Sequence, residues 1–137
     1  FSIMAFGNLK FDTLTTSDAK KSSTEKSVDT SYLFNGVCKV WVNFDGTAGT
    51  LAARDSFNIG SLTDVNTGIY QMNFTNNMNN DDYSGVVSGA SDSYENSSIR
   101  SEAQSTTSTM GFFMFLNASD SASDNTIVSG QIQGDVA

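Results

Sequence analysis

The side chains here that can do chemistry are carboxylates, lysines and one tryptophan, because the chain has no histidine. That absence removes the commonest general base near neutral pH and the commonest metal ligand. A serine nucleophile would then need a lysine base. Lys20, Lys21 and Lys26 cluster in a polar segment with nothing to bury them, so they read as solvated surface lysines. Paired carboxylates about 5 to 9 Å apart would make a glycosidase. Asp81 and Asp82 are adjacent and point apart in a strand, while Asp45, Asp55 and Asp64 fall at turns or strand ends, where aspartate caps turns. The loops 79–82 and 120–125 hold ligand types for calcium but lack the glycine and distal glutamate of an EF-hand loop. No catalytic residue, metal ligand or cofactor is expected.

The tryptophan is different. Cys38, Val40, Val42 and Phe44 alternate along one strand face, which puts Trp41 on the other face beside Lys39 and Asn43. Three readings follow. Trp41 is a sugar-stacking platform, a subunit interface residue, or a side chain covered within one subunit by the N-terminal arm. Phe113 and Phe115, in the run Met110-Gly-Phe-Phe-Met-Phe-Leu116, extend the interface reading, because both faces of that strand are apolar. Trp41, Phe113, Phe115, Lys39 and Asn43 are thus the candidate interface or ligand-binding residues.

The elements that must carry these residues are strands. At 137 residues the chain is one domain's length, long enough to bury a core. Proline is absent, and Ser, Thr and Asn are abundant, which suits strands joined by polar turns. Period-two patterns run through 37–44, 51–59, 69–75 and 126–136, the last with Val128, Ile132 and Val136 on one face, and 83–90 and the doubly apolar run 110–116 read as further strands. Asn66-Thr67-Gly68 is a hairpin signal. Tyr32-Leu33-Phe34 predicts a short strand ending at Asn35-Gly36. Residues 15–31 and 91–106 read as polar connectors. The expected fold is all-β, an antiparallel β-sandwich or jelly roll with an extended N-terminal arm. Residues 1–36 form the arm and connector, and 37–137 the sandwich.

Charge and hydropathy exclude some partners. A net charge of −8, from 15 acids against 7 bases, opposes binding to nucleic acid or anionic membrane. No apolar run approaches the roughly 18 residues of a membrane span, and no signal peptide is visible. Cys38 is the lone cysteine and is expected as a small buried core residue. Met4 opens a start-like phrase.

Several blocks carry a resemblance: Met4-Ala-Phe-Gly-Asn-Leu-Lys-Phe-Asp-Thr-Leu-Thr-Thr-Ser-Asp18, Thr24-Glu-Lys-Ser-Val-Asp-Thr-Ser-Tyr-Leu-Phe-Asn-Gly-Val37, Lys39-Val-Trp-Val-Asn-Phe-Asp-Gly-Thr47, Arg54-Asp-Ser-Phe-Asn-Ile59, Thr63-Asp-Val-Asn-Thr-Gly-Ile-Tyr70 and Asn79-Asn-Asp-Asp-Tyr-Ser-Gly85. Together they resemble short tail-fibre-like structural proteins of tailed bacteriophages from marine and cyanobacterial hosts, over most of residues 4–90. The resemblance implies a non-enzymatic protein on the virion surface. It would be an oligomeric tail-fibre or appendage protein, as a trimer, engaged in host attachment. Other virion proteins and host surface glycan are the implied partners. A capsid decoration protein is the alternative, and a tail glycan depolymerase a more distant one. Apart from the resemblance, one subunit is expected to be unable to bury Trp41, Phe113, Phe115 and the N-terminal aromatics together, which predicts an oligomer.

Overall fold

The computed structural model describes residues 13–15, 27–91, 94–101, 104–116 and 121–136. Chain contacts divide it into two compact units, Phe1–Gly36 and Val37–Ala137.

In the first unit, β1 (Thr13–Thr15) pairs antiparallel with β2 (Ser27–Asp29), and α1 (Thr30–Gly36) follows. Much of the expected arm lies outside the described residues. Where it is described, two expectations are corrected. Ser27–Asp29 is a strand rather than connector, with Thr15 set opposite Ser27. Tyr32-Leu33-Phe34 is helical, because the Asp29 carboxylate accepts the Ser31 N–H at 2.8 Å and so caps a new helix.

The second unit is an all-β antiparallel sandwich. Its strands are β3 (Val40–Phe44), β4 (Ala53–Phe57), β5 (Ile59–Asn66), β6 (Ile69–Phe74), β7 (Ser84–Ser91), β8 (Tyr94–Ser101), β9 (Thr109–Leu116), β10 (Ser121–Ala122) and β11 (Ile127–Gln133). They hydrogen-bond in the order β4-β3-β11-β7-β8-β9-β6-β5, with β10 added to β9. β7 and β8 pair only through Gly89–Ser91 and Tyr94–Asn96. There the path folds over, laying β4-β3-β11-β7 against β8-β9-β6-β5.

The core is where these layers meet. Val40, Val42 and Phe44 of β3 and Val128 and Ile132 of β11 face Tyr70, Met72 and Phe74 of β6 and Met110, Phe112 and Met114 of β9, all buried. Phe44 packs edge-on against Tyr70, with ring centroids 5.4 Å apart. Period-two alternation in these strands therefore has its expected cause, one face inward and one outward.

Four details differ from the pattern reading. The stretch 51–59 is not one strand. Asn58 sits at φ 58° and carries the chain from the outer edge of one layer to the outer edge of the other. The polar segment Tyr94–Ser101 is a strand, β8. β11 ends at Gln133, so Val136 leaves the core face and is exposed, bridging Met78. Cys38 is half-buried rather than in the core, its Sγ–H donating to the Val40 carbonyl. The hairpin at Thr67–Gly68 is as read. Gly68 has φ 67°, and an added Cβ there would collide with the Met114 carbonyl.

Candidate functional site

Register on the outer face of the β4-β3-β11-β7 layer decides which side chains meet. β3 pairs Trp41 with Gln131 of β11 on one side and Phe57 of β4 on the other. β11 in turn pairs Gln131 with Val86 of β7. Cross-strand partners share a face. Phe57, Trp41, Gln131 and Val86 therefore form a row across the sheet. One pair further along, Asp55, Asn43, Ser129 and Ser88 form a second, polar row. The apolar members of the first row are open to solvent: Phe57 is 56%, Trp41 37% and Val86 59% exposed.

Between the ridges of β3 and β7 runs an open groove of about 480 Å³ along β11, lined by the side chains of Trp41, Asn43, Val86, Ser88, Ser129 and Gln131 and floored in part by Gly130. Among the described residues, no charged side chain lines it. The Asn43 amide is held from both ends. Its Nδ2–H donates to Ser129 Oγ at 2.8 Å, and its Oδ1 lies 3.4 Å from the Arg54 guanidinium. Arg54 comes from the β4 bulge opposite Asn43/Phe44. It also donates to the Phe44 and Thr126 carbonyls at 3.2 and 2.8 Å and pairs with Asp45 at 3.2 Å. This clamp fixes the end of the β3–β11 pair, which carries Asn43 and Ser129.

Trp41 and Asn43 thus lie together in one groove. Lys39 does not line it. Its side chain is covered, at 8% exposure, while its N–H extends the ladder to the Ile132 carbonyl at 2.8 Å. A lysine stem packed against protein is not presented to a partner. Phe113 and Phe115 point out from β9, on the opposite layer, and each is half-buried there. The candidate residues are therefore split between the two outer faces, and they do not form one surface. Phe57, Val86, Ser88, Ser129 and Gln131 complete the Trp41 face, and pattern reading passed over them. Each belongs to a different strand from Trp41, and only strand order joins them.

Asp45 and Asp124 each hold local structure. Thr47 donates its hydroxyl at 2.7 Å and its N–H at 2.9 Å to Asp45, which holds that carboxyl below the usual range. Asp124 accepts the Tyr70 hydroxyl at 2.6 Å and the Gly68 N–H at 2.7 Å. In the loop 79–82, Asn80 accepts the Asp82 N–H at 3.0 Å in a local turn. Among the described residues, no three His, Cys, Asp or Glu side chains gather as a potential metal group, and no helix is long and apolar enough to cross a membrane.

Comparison with known proteins returns no matching family model, no matching curated protein and no matching solved structure. The fold and this face therefore define the molecule as an all-β sandwich with an uncharged aromatic groove on one outer sheet.

Proposed function

We propose that this chain is a non-enzymatic structural protein of a bacteriophage virion, an oligomeric tail-fibre or appendage protein that takes part in host attachment. The observation that carries the reading is the outer face of Trp41, Phe57 and Val86. It stands exposed on a sheet whose central strands, β3 and β11, bury Val40, Val42, Phe44, Val128 and Ile132 on the opposite side. A protein that acts by contact needs a recognition face held rigid by its scaffold, and this face has that support. The sequence blocks resembling tail-fibre-like proteins support the same reading. Its site of action is then the particle surface, beside other virion proteins.

The test is the copy number of this chain in purified particles, from a stained gel checked by quantitative mass spectrometry. Dozens of copies or fewer support an appendage. Hundreds of copies overturn the appendage reading in favour of capsid decoration. Absence from the particle overturns the virion reading altogether. Light scattering at micromolar concentration tests the assembly state, and a monomer contradicts the oligomer.

A further inference from the structure

We propose that the groove along β11 binds a neutral saccharide, with the Trp41 indole as the stacking platform. The proposal rests on the attachment reading above and gives that face a ligand class. Its walls, β3 and β7, are two strand spacings apart, roughly 10 Å, wide enough to admit a single sugar ring or an extended glycan chain. Trp41 supplies one wall at 37% exposure. The face of an indole carries partial negative charge, and the C–H groups on one face of a pyranose are its complement. Beside it on β3 is Asn43, on the floor strand β11 are Ser129 and Gln131, and on the far wall is Ser88. Amides and hydroxyls both donate and accept, which is what sugar hydroxyls require. The 2.8 Å bond from Asn43 to Ser129 orients that array before any ligand arrives.

Charge chooses neutral over acidic sugar. Among the described residues, no acid or base lines the groove. Arg54, the cation beside the groove, is already engaged by the Phe44 and Thr126 carbonyls and by Asp45, and Asp55 stands next to Asn43 on the same face. A carboxylated or phosphorylated ligand would therefore meet a neutralised cation and a carboxylate, in the field of a molecule of net charge −8. An extended peptide is disfavoured on different grounds. β11 is paired with β3 on one side and β7 on the other, so the groove floor itself offers no free edge for strand addition.

The chain has a single tryptophan, so its fluorescence reports on this groove alone. The full-length protein is titrated with neutral hexaoses of glucose, galactose and mannose, and with oligogalacturonate as the acidic counterpart. A saturable change in emission with at least one neutral hexaose and none with oligogalacturonate is expected. By calorimetry, Trp41→Ala weakens that binding by about tenfold or more, with an unchanged far-ultraviolet circular dichroism spectrum, while Trp41→Phe retains part of it. Silence across the neutral hexaoses overturns the proposal. Equal binding of the acidic sugar overturns it too, as does an emission change on protein concentration alone, which would put Trp41 in a self-interface. Failure here and failure of the virion reading are separable. A chain present in particles that binds none of these sugars loses only the ligand, and a sugar-binding chain absent from particles loses only the virion.

Discussion

At the residue scale, the tightest cluster is the one around Tyr70. Its ring is fully buried, its hydroxyl donates to Asp124 at 2.6 Å, and the Gly46 carbonyl lies 3.1 Å away. Burial pushes the phenol well above its ordinary value, and the bond to Asp124 and the neighbouring carboxylate charges add to the rise. The linkage follows from the sign of the shift. A raised phenol means the folded state holds its proton more tightly than the unfolded chain. The stabilisation is complete below the unfolded value of about 10 and is lost as pH climbs above it. Urea unfolding of the wild type should therefore show stability falling steadily above pH 10. Tyr70→Phe should flatten that fall while lowering stability at neutral pH by about 1–2 kcal/mol, because it removes the bond to Asp124. An unchanged alkaline slope in the variant would assign the effect to another group.

At the element scale, Asn58 joins two strands on opposite layers with a single residue between them. Its φ of 58° is a region where asparagine is tolerated and β-branched residues are not. Its carbonyl accepts the Thr75 N–H at 3.2 Å, and its side-chain Oδ1 accepts the Asn76 N–H at 2.7 Å. Asn58→Ala meets the backbone strain and loses the three side-chain bonds with Asn76, whereas Asn58→Gly keeps the backbone and loses only those bonds, so Ala is the more costly by about 1 kcal/mol. The midpoint of urea unfolding should order the two variants that way. The same residue shows how far the pattern was legible. Apart from Asp55, alternation runs from Leu51 to Ile59, and nothing in a period of two marks the left-handed residue that splits it. The strands β3, β6 and β11 were readable because each buries one face, β9 because its run is apolar throughout, and the Thr67–Gly68 hairpin because its glycine is obligatory. β8 was not readable. Tyr-Glu-Asn-Ser-Ser-Ile-Arg-Ser has no apolar stripe, and main-chain pairing to β9 along Asn96–Ser101 defines it. The helix α1 was legible in principle from Asp29 as a cap and Gly36 as a stop, but the apolar triplet Tyr32-Leu33-Phe34 suggested a strand instead. Of the site, Trp41 and Asn43 were visible as off-face residues. Their neighbours Phe57, Val86 and Gln131 depend on a strand order that local sequence does not encode.

At the scale of the whole molecule, the two layers fit by size. Where one layer has glycine, the other places methionine: Gly85 opposite Met110, Gly89 opposite Met114, and Gly130 opposite Met72, each too close for an added Cβ without a shift. An unbranched thioether can fill such gaps, which lets the layers close tightly around the aromatic cluster of Phe44, Tyr70 and Phe112. All the buried apolar side chains among the described residues belong to 37–137. A unit that closes its own core should fold by itself. The 37–137 fragment should therefore unfold cooperatively, with a thermal midpoint within a few degrees of the full chain and the same Trp41 emission maximum. If the fragment is unfolded, or if its emission maximum shifts, residues before Val37 help to build the sandwich or cover the Trp41 face. If the midpoint holds and light scattering shows that assembly is lost, the N-terminal unit carries the contacts between copies and the groove remains free for its ligand.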